Sequence, residues 1–216
     1  SQGFEVLWDA KDGRGALDDF TFEGVTASTI RMIVTLPGQT FTSGVGNVNA
    51  PSAQVAGVPF NLTLTVVTNN GSGNPVTDTS YSGSKSISYS GPGGNPVYTT
   101  PVVFANGQVT GVSTTLKKAE TTPLTATDGT LAGVASSSLT VNPTAFTKLQ
   151  VLAPGESSAP GTASGKTGAP NNQAVDIAFN VTVNAVDNFF NLLTAAPADN
   201  IRVTTSDPSD TEPGDN

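Results

Sequence analysis

Four side chains in the C-terminal part of the chain carry the oxygen atoms that a calcium ion prefers as ligands. Asp187 and Asn191 flank a turn after a predicted strand, and Asp207 and Asp210 lie in an acidic tail. Carboxylate and amide oxygens at such close spacing suit Ca²⁺. The same residues also suit a structural role, because short polar side chains cap backbone N–H groups at turns and acidic loops are often simply solvated. Calcium is therefore the one cofactor that the sequence suggests, beside the alternative of no cofactor.

Other chemistry is largely excluded by composition. The chain has no His and no Cys, which removes the usual general base, the His and thiolate metal ligands, thiol catalysis and disulfides. Asp18 and Asp19 are adjacent, so on a strand their carboxylates face opposite sides and do not form a catalytic pair. We therefore predict a protein that is not an enzyme and has no catalytic residues.

The charge balance and hydropathy also exclude two classes of partner. Lys and Arg number 9 against 17 Asp and Glu, giving a formal net charge of −8. Binding to nucleic acid requires Lys and Arg to neutralise phosphates, so no nucleic-acid partner is expected. No run of about 18 apolar residues is present, so no membrane insertion is expected.

Exposed aromatic side chains are candidates for recognising the planar faces of sugars. Trp8 and Tyr81 are the residues that we assign to such a stacking platform. The alternative is that these rings pack in the core or across neighbouring strands. A glycan-binding role would require several of the rings to lie in one exposed plane.

The elements that position these residues are predicted to be short strands. Apolar and polar residues alternate with a period of two in several segments, which indicates strands with one buried face. Gly-, Pro- and Asn-rich turns separate the segments, a pattern typical of a β-sandwich. The chain is therefore predicted to be all-β. The apolar positions of the two clearest strands are Phe60, Leu62, Leu64 and Val66, and Phe179, Val181 and Val183.

The sequence also repeats itself at an offset of 116–119 residues. Six matches occur in the same order at nearly constant offset, which indicates tandem structural repeats. The small changes in offset fall in loops, where insertions are tolerated. The clearest pairs are residues 36–39 with 153–156, residues 50–54 with 169–173, and residues 60–63 with 179–182.

The repeat extends to the N terminus of the chain. Residues 10–13 match residues 126–129, and both are followed by a short strand, with Phe20 and Phe22 in one and Leu139 and Val141 in the other. We therefore assign the closing strands of a preceding repeat, a complete repeat, and the first part of a second repeat. The predicted boundaries are 1–26, 27–144 and 145–216.

Incomplete repeats at both ends of the chain allow two interpretations. The chain is either a window from a longer tandem array, or a subunit whose N-terminal strands complete the C-terminal repeat of the next subunit. Phe20 and Phe22 are the candidates for such strand donation. In both cases the expected partners are neighbouring repeats or identical subunits.

Several segments resemble the bacterial Ig-like repeats of large surface proteins, such as invasin- and intimin-like adhesins and cell-surface stalks. The resemblance lies in residues 124–129, 137–141, 147–151 and 179–187 and in the trailing Asn191. It implies tandem Ig-like β-sandwiches and an extracellular or cell-surface location. It further implies a spacer or adhesive module without chemistry of its own.

We therefore expect a non-catalytic structural or adhesive module of a bacterial surface protein that acts as a rigid repeat spacer. Short linkers that contain proline, such as residues 142–144, would limit bending between repeats. Loops at the ends of the repeats would contact host or surface glycans or proteins. One alternative is a subunit of an extracellular filament assembled head-to-tail by strand donation. A second is a carbohydrate-binding accessory module of a secreted enzyme. Common versions of these repeats have Gly before the turn Asn, where this chain has Phe190.

Overall fold

The computed structural model of the chain describes residues 29–69, 73–195 and 200–206. All secondary structure in these ranges is β-strand, which confirms the predicted all-β class for this part of the chain. No helix there is long and apolar enough to cross a membrane. Some predictions lie outside the described residues, namely those for 1–26, Trp8, Phe20, Phe22, Asp207 and Asp210.

The strands fall into two groups along the chain, which we name the N-terminal unit (residues 29–142) and the C-terminal unit (residues 148–206). The N-terminal unit contains β1 Arg31–Thr35, β2 Thr40–Thr42, β3 Gly46–Val48, β4 Gln54–Val55, β5 Phe60–Asn69, β6 Pro75–Thr77, β7 Gly83–Lys85, β8 Ser88–Ser90, β9 Val97–Tyr98, β10 Val102–Phe104, β11 Gln108–Thr115, β12 Thr121–Thr122, β13 Thr125–Thr127, β14 Ala132–Val134 and β15 Leu139–Asn142. The described part of the C-terminal unit contains β16 Lys148–Leu152, β17 Glu156–Ser158, β18 Lys166–Gly168 and β19 Thr182–Val186.

The largest sheet of the N-terminal unit runs in the order β14-β1-β5-β11-β9, and β6 also pairs with β5. Its central strand β5 buries the predicted positions Leu62, Leu64 and Val66, which are at most 1% exposed, but Thr65 and Val67 on its other face are also fully buried. β1 is antiparallel to β5, with Met32 opposite Val66 and Val34 opposite Leu64, and both of these β1 residues are fully buried. β14 pairs in parallel with the other edge of β1.

Smaller sheets supply further side chains to the same core. They are the pairs β13-β8 and β10-β7 and the three-stranded sheet β12-β15-β4. Their buried side chains include Phe104, Ala126, Leu139 and Val141, which belong to one apolar cluster with the buried residues of β1 and β5. Each large apolar side chain buried in this way contributes about 1.5–3 kcal/mol of transfer free energy.

The sequence repeat recurs in the pairing of the strands. In the C-terminal unit, β16 is antiparallel to β19 with Leu149 opposite Ala185 and Val151 opposite Val183. These are the positions that the sequence offset predicts from the β1–β5 register. The hairpins β2–β3 and β17–β18 occupy equivalent positions after the first strand of each unit.

The turn after the first strand is also the same in the two units. The Ser52 N–H donates to the Pro37 carbonyl, and the Asn171 N–H donates to the Pro154 carbonyl, at 2.7 Å in both cases. The glycine after each proline has a positive φ, 86° and 93°, a conformation that glycine adopts without steric cost. The matching Pro-Gly motifs therefore encode one local structure twice.

One predicted strand begins later than the alternation indicated. We predicted a strand that included Phe179, but β19 begins at Thr182 and Phe179 is 53% exposed, so this prediction is wrong at its start. In β5 the corresponding first residues pair with β11, where Thr114 lies opposite Phe60. No counterpart of β11 pairs with β19 among the described residues, so only the part that pairs with β16 is a strand.

Candidate functional site

The turn after β19 contains two buried polar side chains at the contact between the units. Asp187 is fully buried and Asn191 is 1% exposed. The Asp187 Oδ1 atom accepts hydrogen bonds from the backbone N–H groups of Phe189 at 2.8 Å and Asn191 at 2.9 Å. Its Oδ2 atom accepts from the Thr144 N–H and from the Asn191 side-chain amide, both at 3.0 Å. The carboxylate thus holds the turn together and ties it to the linker that precedes β16.

Asn191 connects this turn to the N-terminal unit. Its Oδ1 atom accepts from the Ala119 N–H at 2.7 Å, and its Nδ2 atom donates to the Lys117 carbonyl at 2.8 Å. Both partners are backbone groups in the segment between β11 and β12. The amide side chain therefore pairs with one donor and one acceptor across the contact.

Apolar packing accompanies these hydrogen bonds. The half-buried Phe189 ring packs on the core cluster of the N-terminal unit and lies directly over Gly57, where a Cβ atom would overlap the ring. The Phe189 carbonyl accepts from the Gly161 N–H at 2.7 Å. We name the contact made by Asp187, Asn191 and Phe189 the joint.

Phe190 occupies the position at which the resembled repeats commonly have glycine. Its φ of 64° lies in the left-handed region, which glycine adopts without the steric cost of a side chain. The ring lies against Gly165, where no side chain would fit. The Lys148 Nζ atom is 3.5 Å from the centroid of the Phe190 ring, a cation–π contact, and also donates to the Asn188 carbonyl at 3.2 Å. These contacts offset the backbone strain.

The electrostatics of the joint favour an ionised Asp187. Burial by itself raises the pKa of this carboxyl group, but the hydrogen bonds from the Asn191 side chain and from the N–H groups of Thr144, Asn191 and Phe189 outweigh it. The net effect lowers the pKa below its ordinary value, because these donors stabilise the charged form. The joint is therefore formed by a carboxylate at neutral pH.

This shift predicts how the stability of the joint depends on pH. Since the folded-state pKa of Asp187 is lowered, its contribution to stability is complete above the unfolded-state pKa of about 3.9 and is lost as the pH falls through the folded-state value. We expect the difference in free energy of unfolding between the wild type and Asp187→Asn to be large at pH 7 and to shrink below about pH 4. Denaturant titrations of both proteins at several pH values measure it, and a pH-independent difference would contradict the assignment.

Of the two residues assigned to a sugar-stacking platform, only Tyr81 is described. Its ring packs edge-on against Phe104 at 5.0 Å between centroids, and the Lys85 Nζ atom lies 4.7 Å from its centroid. Its hydroxyl donates to Asp128 Oδ2 at 2.7 Å. Burial first, and then this hydrogen bond, raise the pKa of Tyr81 well above its ordinary value. Glycan binding by Tyr81 stays a prediction, and the contacts seen are those of a packed residue.

The other tyrosines of the N-terminal unit also contact each other. Tyr89 and Tyr98 stack with 4.2 Å between ring centroids and an angle of 10° between the rings. Burial raises the pKa of Tyr89 to about 12. This pair packs against the core cluster, as does Tyr81.

The predicted calcium ligands are brought together only in part. The Asn191 Nδ2 atom lies 3.0 Å from the Asp187 Oδ2 atom, so the two side chains are in contact. Their oxygen atoms, however, already accept hydrogen bonds from the protein. Within the described ranges no group of three or more acidic, His or Cys residues is placed to hold a metal ion. Calcium binding stays a prediction.

Sequence reasoning missed several residues of the joint. The partners at Lys117, Ala119 and Thr144 contribute only backbone groups, which any residue type provides. Gly57 and Phe189 had no motif to mark them, although the Asp-to-Asn spacing after a strand did point to the turn.

No family model, curated protein or solved structure matches this chain.

Proposed function

We infer that this chain is a non-catalytic extracellular spacer of a bacterial surface protein, built from tandem Ig-like β-sandwiches whose orientation is fixed at the joint. The observation that carries this proposal is the burial of Asp187 and Asn191 between the units with their hydrogen bonds satisfied. Buried polar groups that are fully paired define one geometry, because any other arrangement leaves them unpaired at a cost of about 1–3 kcal/mol each.

The repetition of strand register supports a tandem array. The β1–β5 and β16–β19 ladders, and the Pro-Gly turns after β1 and β16, recur at the offset of the sequence repeat. A stack of similar units in which each contacts its neighbours is how repeat proteins build long, stiff structures. The resemblance to Ig-like surface repeats adds the bacterial cell-surface setting.

The linker between the units supports rigidity rather than free hinging. Residues 143–147 connect β15 to β16, and Pro143 restricts the backbone at their start. Thr144 donates its N–H to Asp187, and the Thr147 N–H donates to the Val186 carbonyl at 3.0 Å. A flexible linker would instead leave its backbone groups to water.

The aromatic residues favour the spacer over a carbohydrate-binding module. Tyr81, Tyr89 and Tyr98 use their faces or edges for contacts within the protein. A stacking platform needs ring faces that are open to the sugar. These contacts therefore support a packing role for all three tyrosines.

NMR residual dipolar couplings on the dilute chain test the spacer proposal. If the joint is rigid, one alignment tensor fits the N–H couplings of β5 and of β19 together. If the two strands need tensors of clearly different magnitude, the units reorient and the rigid-spacer proposal is overturned. The couplings within each unit serve as the internal control, because they must fit one tensor in either case.

A further inference from the structure

The C-terminal unit has an apolar surface that is covered in the N-terminal unit. Leu149 and Val151 on β16 are 46% and 47% exposed. Met32 and Val34, which occupy the same register positions on β1, are fully buried. We name the surface formed by Leu149, Val151 and the edge of β16 that no described strand pairs with the acceptor face.

The N-terminal unit shows which strands cover the equivalent surface. The apolar cluster that buries Met32 and Val34 also contains Ala126 from β13 and Leu139 and Val141 from β15. The strand between them, β14, pairs in parallel with the edge of β1. Among the described residues β16 pairs only with β19, so no described strand lies beside its corresponding edge.

The sequence of the N-terminal segment contains counterparts of these covering strands. Residues 10–13 match 126–129 at the end of β13, and Phe20 and Phe22 match Leu139 and Val141 of β15. Residues 16–18 lie between them, as β14 lies between β13 and β15. The same chain therefore contains a segment with the pattern of the covering strands, residues 10–22, and a surface of the kind that such strands cover, the acceptor face.

We propose that residues 10–22 of one copy dock on the acceptor face of a second copy. Phe20 and Phe22 pack over Leu149 and Val151, and residues 16–18 extend the sheet by pairing in parallel with β16. Main-chain hydrogen bonds to a free strand edge provide the affinity, and the alternating side chains provide the register. Residues 10–22 of one copy contact the acceptor face of the next, so the two copies use different surfaces and the contact is head-to-tail. Repeating such a contact generates an open polymer.

The geometry favours a second copy over the same chain. Arg31 lies opposite Val67, whereas Phe60, at the other end of β5, is close to Gly57 and the joint. Along β5, Val67 is about 23 Å from Phe60 at about 3.3 Å per residue. The point where the chain enters β1 is therefore about 23 Å from the end of β5 that is next to the joint. The segment from Phe22 to Arg31 extends at most about 32 Å, so covering this length alone would use most of its reach. A second copy meets no such limit.

The test measures the assembly state of the full chain and of two complementary variants. Size-exclusion chromatography with light scattering, run over a range of concentrations, gives the mass of each species. The donor variant is Phe20→Asp with Phe22→Asp, and the acceptor variant is Leu149→Asp with Val151→Asp. We expect the wild type to form species that grow with concentration and each variant alone to be a single copy. An equimolar mixture should form a dimer that grows no further, because the mixture retains one intact donor and one intact acceptor.

The control is Val103→Asp, which places the same charge on a 67% exposed valine of β10. This control should assemble like the wild type. A wild type that remains a single copy at every concentration would overturn the proposal, as would a mixture of donor and acceptor variants that does not dimerise. Because Leu149 and Val151 are exposed in the single copy, the acceptor variant should keep the wild-type circular dichroism spectrum, which separates loss of docking from loss of folding.

Discussion

Replacing Asp187 by alanine is expected to lower the free energy of unfolding by about 3–5 kcal/mol, the largest effect of any single change at the joint. The substitution leaves the N–H groups of Phe189, Asn191 and Thr144 without their acceptor in a buried site. Each unpaired buried donor costs about 1–3 kcal/mol, less what water recovers if it enters the cavity. Denaturant unfolding followed by far-ultraviolet circular dichroism measures the change.

Two isosteric substitutions control for the loss of one negative charge. Asp187→Asn keeps the shape of the side chain but places an amide where a carboxylate oxygen accepts, so we expect an intermediate loss of about 2 kcal/mol. Asp176→Asn removes the same charge from an exposed residue and should change stability by less than about 0.5 kcal/mol. Equal losses in the two variants would show that net charge, and not the hydrogen bonds of the joint, determines stability.

Gly57→Ala is expected to cost about 2–4 kcal/mol, although it adds a single methyl group. Gly57 has a φ of 76°, which an alanine adopts only with strain, and its new Cβ atom would overlap the Phe189 ring. The ring must then leave the core cluster of the N-terminal unit. Denaturant unfolding measures the loss of stability.

A double-mutant cycle separates the two causes. Phe189→Ala removes the ring, so adding Gly57→Ala to it should cost only the backbone strain of about 1–2 kcal/mol. The sum of the stability losses in the two single variants should therefore exceed the stability loss in the double variant. Strictly additive losses would contradict the close approach of Gly57 and Phe189. Gly129→Ala, at a positive φ of 87° in open space, measures the backbone strain alone.

The sequence allowed the strands of the N-terminal unit to be predicted because their signals are local. Alternation in β5 placed Leu62, Leu64 and Val66 in the core, and the Pro-Gly motifs marked the turns after β1 and β16. Both signals need only neighbouring residues. The repeat then related one unit to the other without any knowledge of the fold.

The strand start at Phe179 was mispredicted because alternation does not report whether a pairing partner is present. Phe60 and Leu62 are in a strand since β11 lies beside them, and that neighbour comes from far along the chain. Their counterparts at Phe179 and Val181 have the same pattern but no such neighbour among the described residues. Strand length thus depends on a distant segment.

The role of the joint could be predicted only in part, for a similar reason. The residue types of Asp187 and Asn191 indicated capping or ligation at a turn. Their partners are main-chain groups of Lys117, Ala119 and Thr144, which have no signature in the sequence. Only the packing of the two units brings them together.

A distance distribution across the joint tests most directly whether the two units are held in one orientation. The chain has no native Cys, so Ser84→Cys on β7 and Ser157→Cys on β17, both exposed, place one spin label in each unit. Electron–electron double resonance on labelled chain diluted into unlabelled chain should give a single narrow peak, and adding Asp187→Ala should broaden it. A broad distribution in the protein with Asp187 intact would contradict a rigid joint.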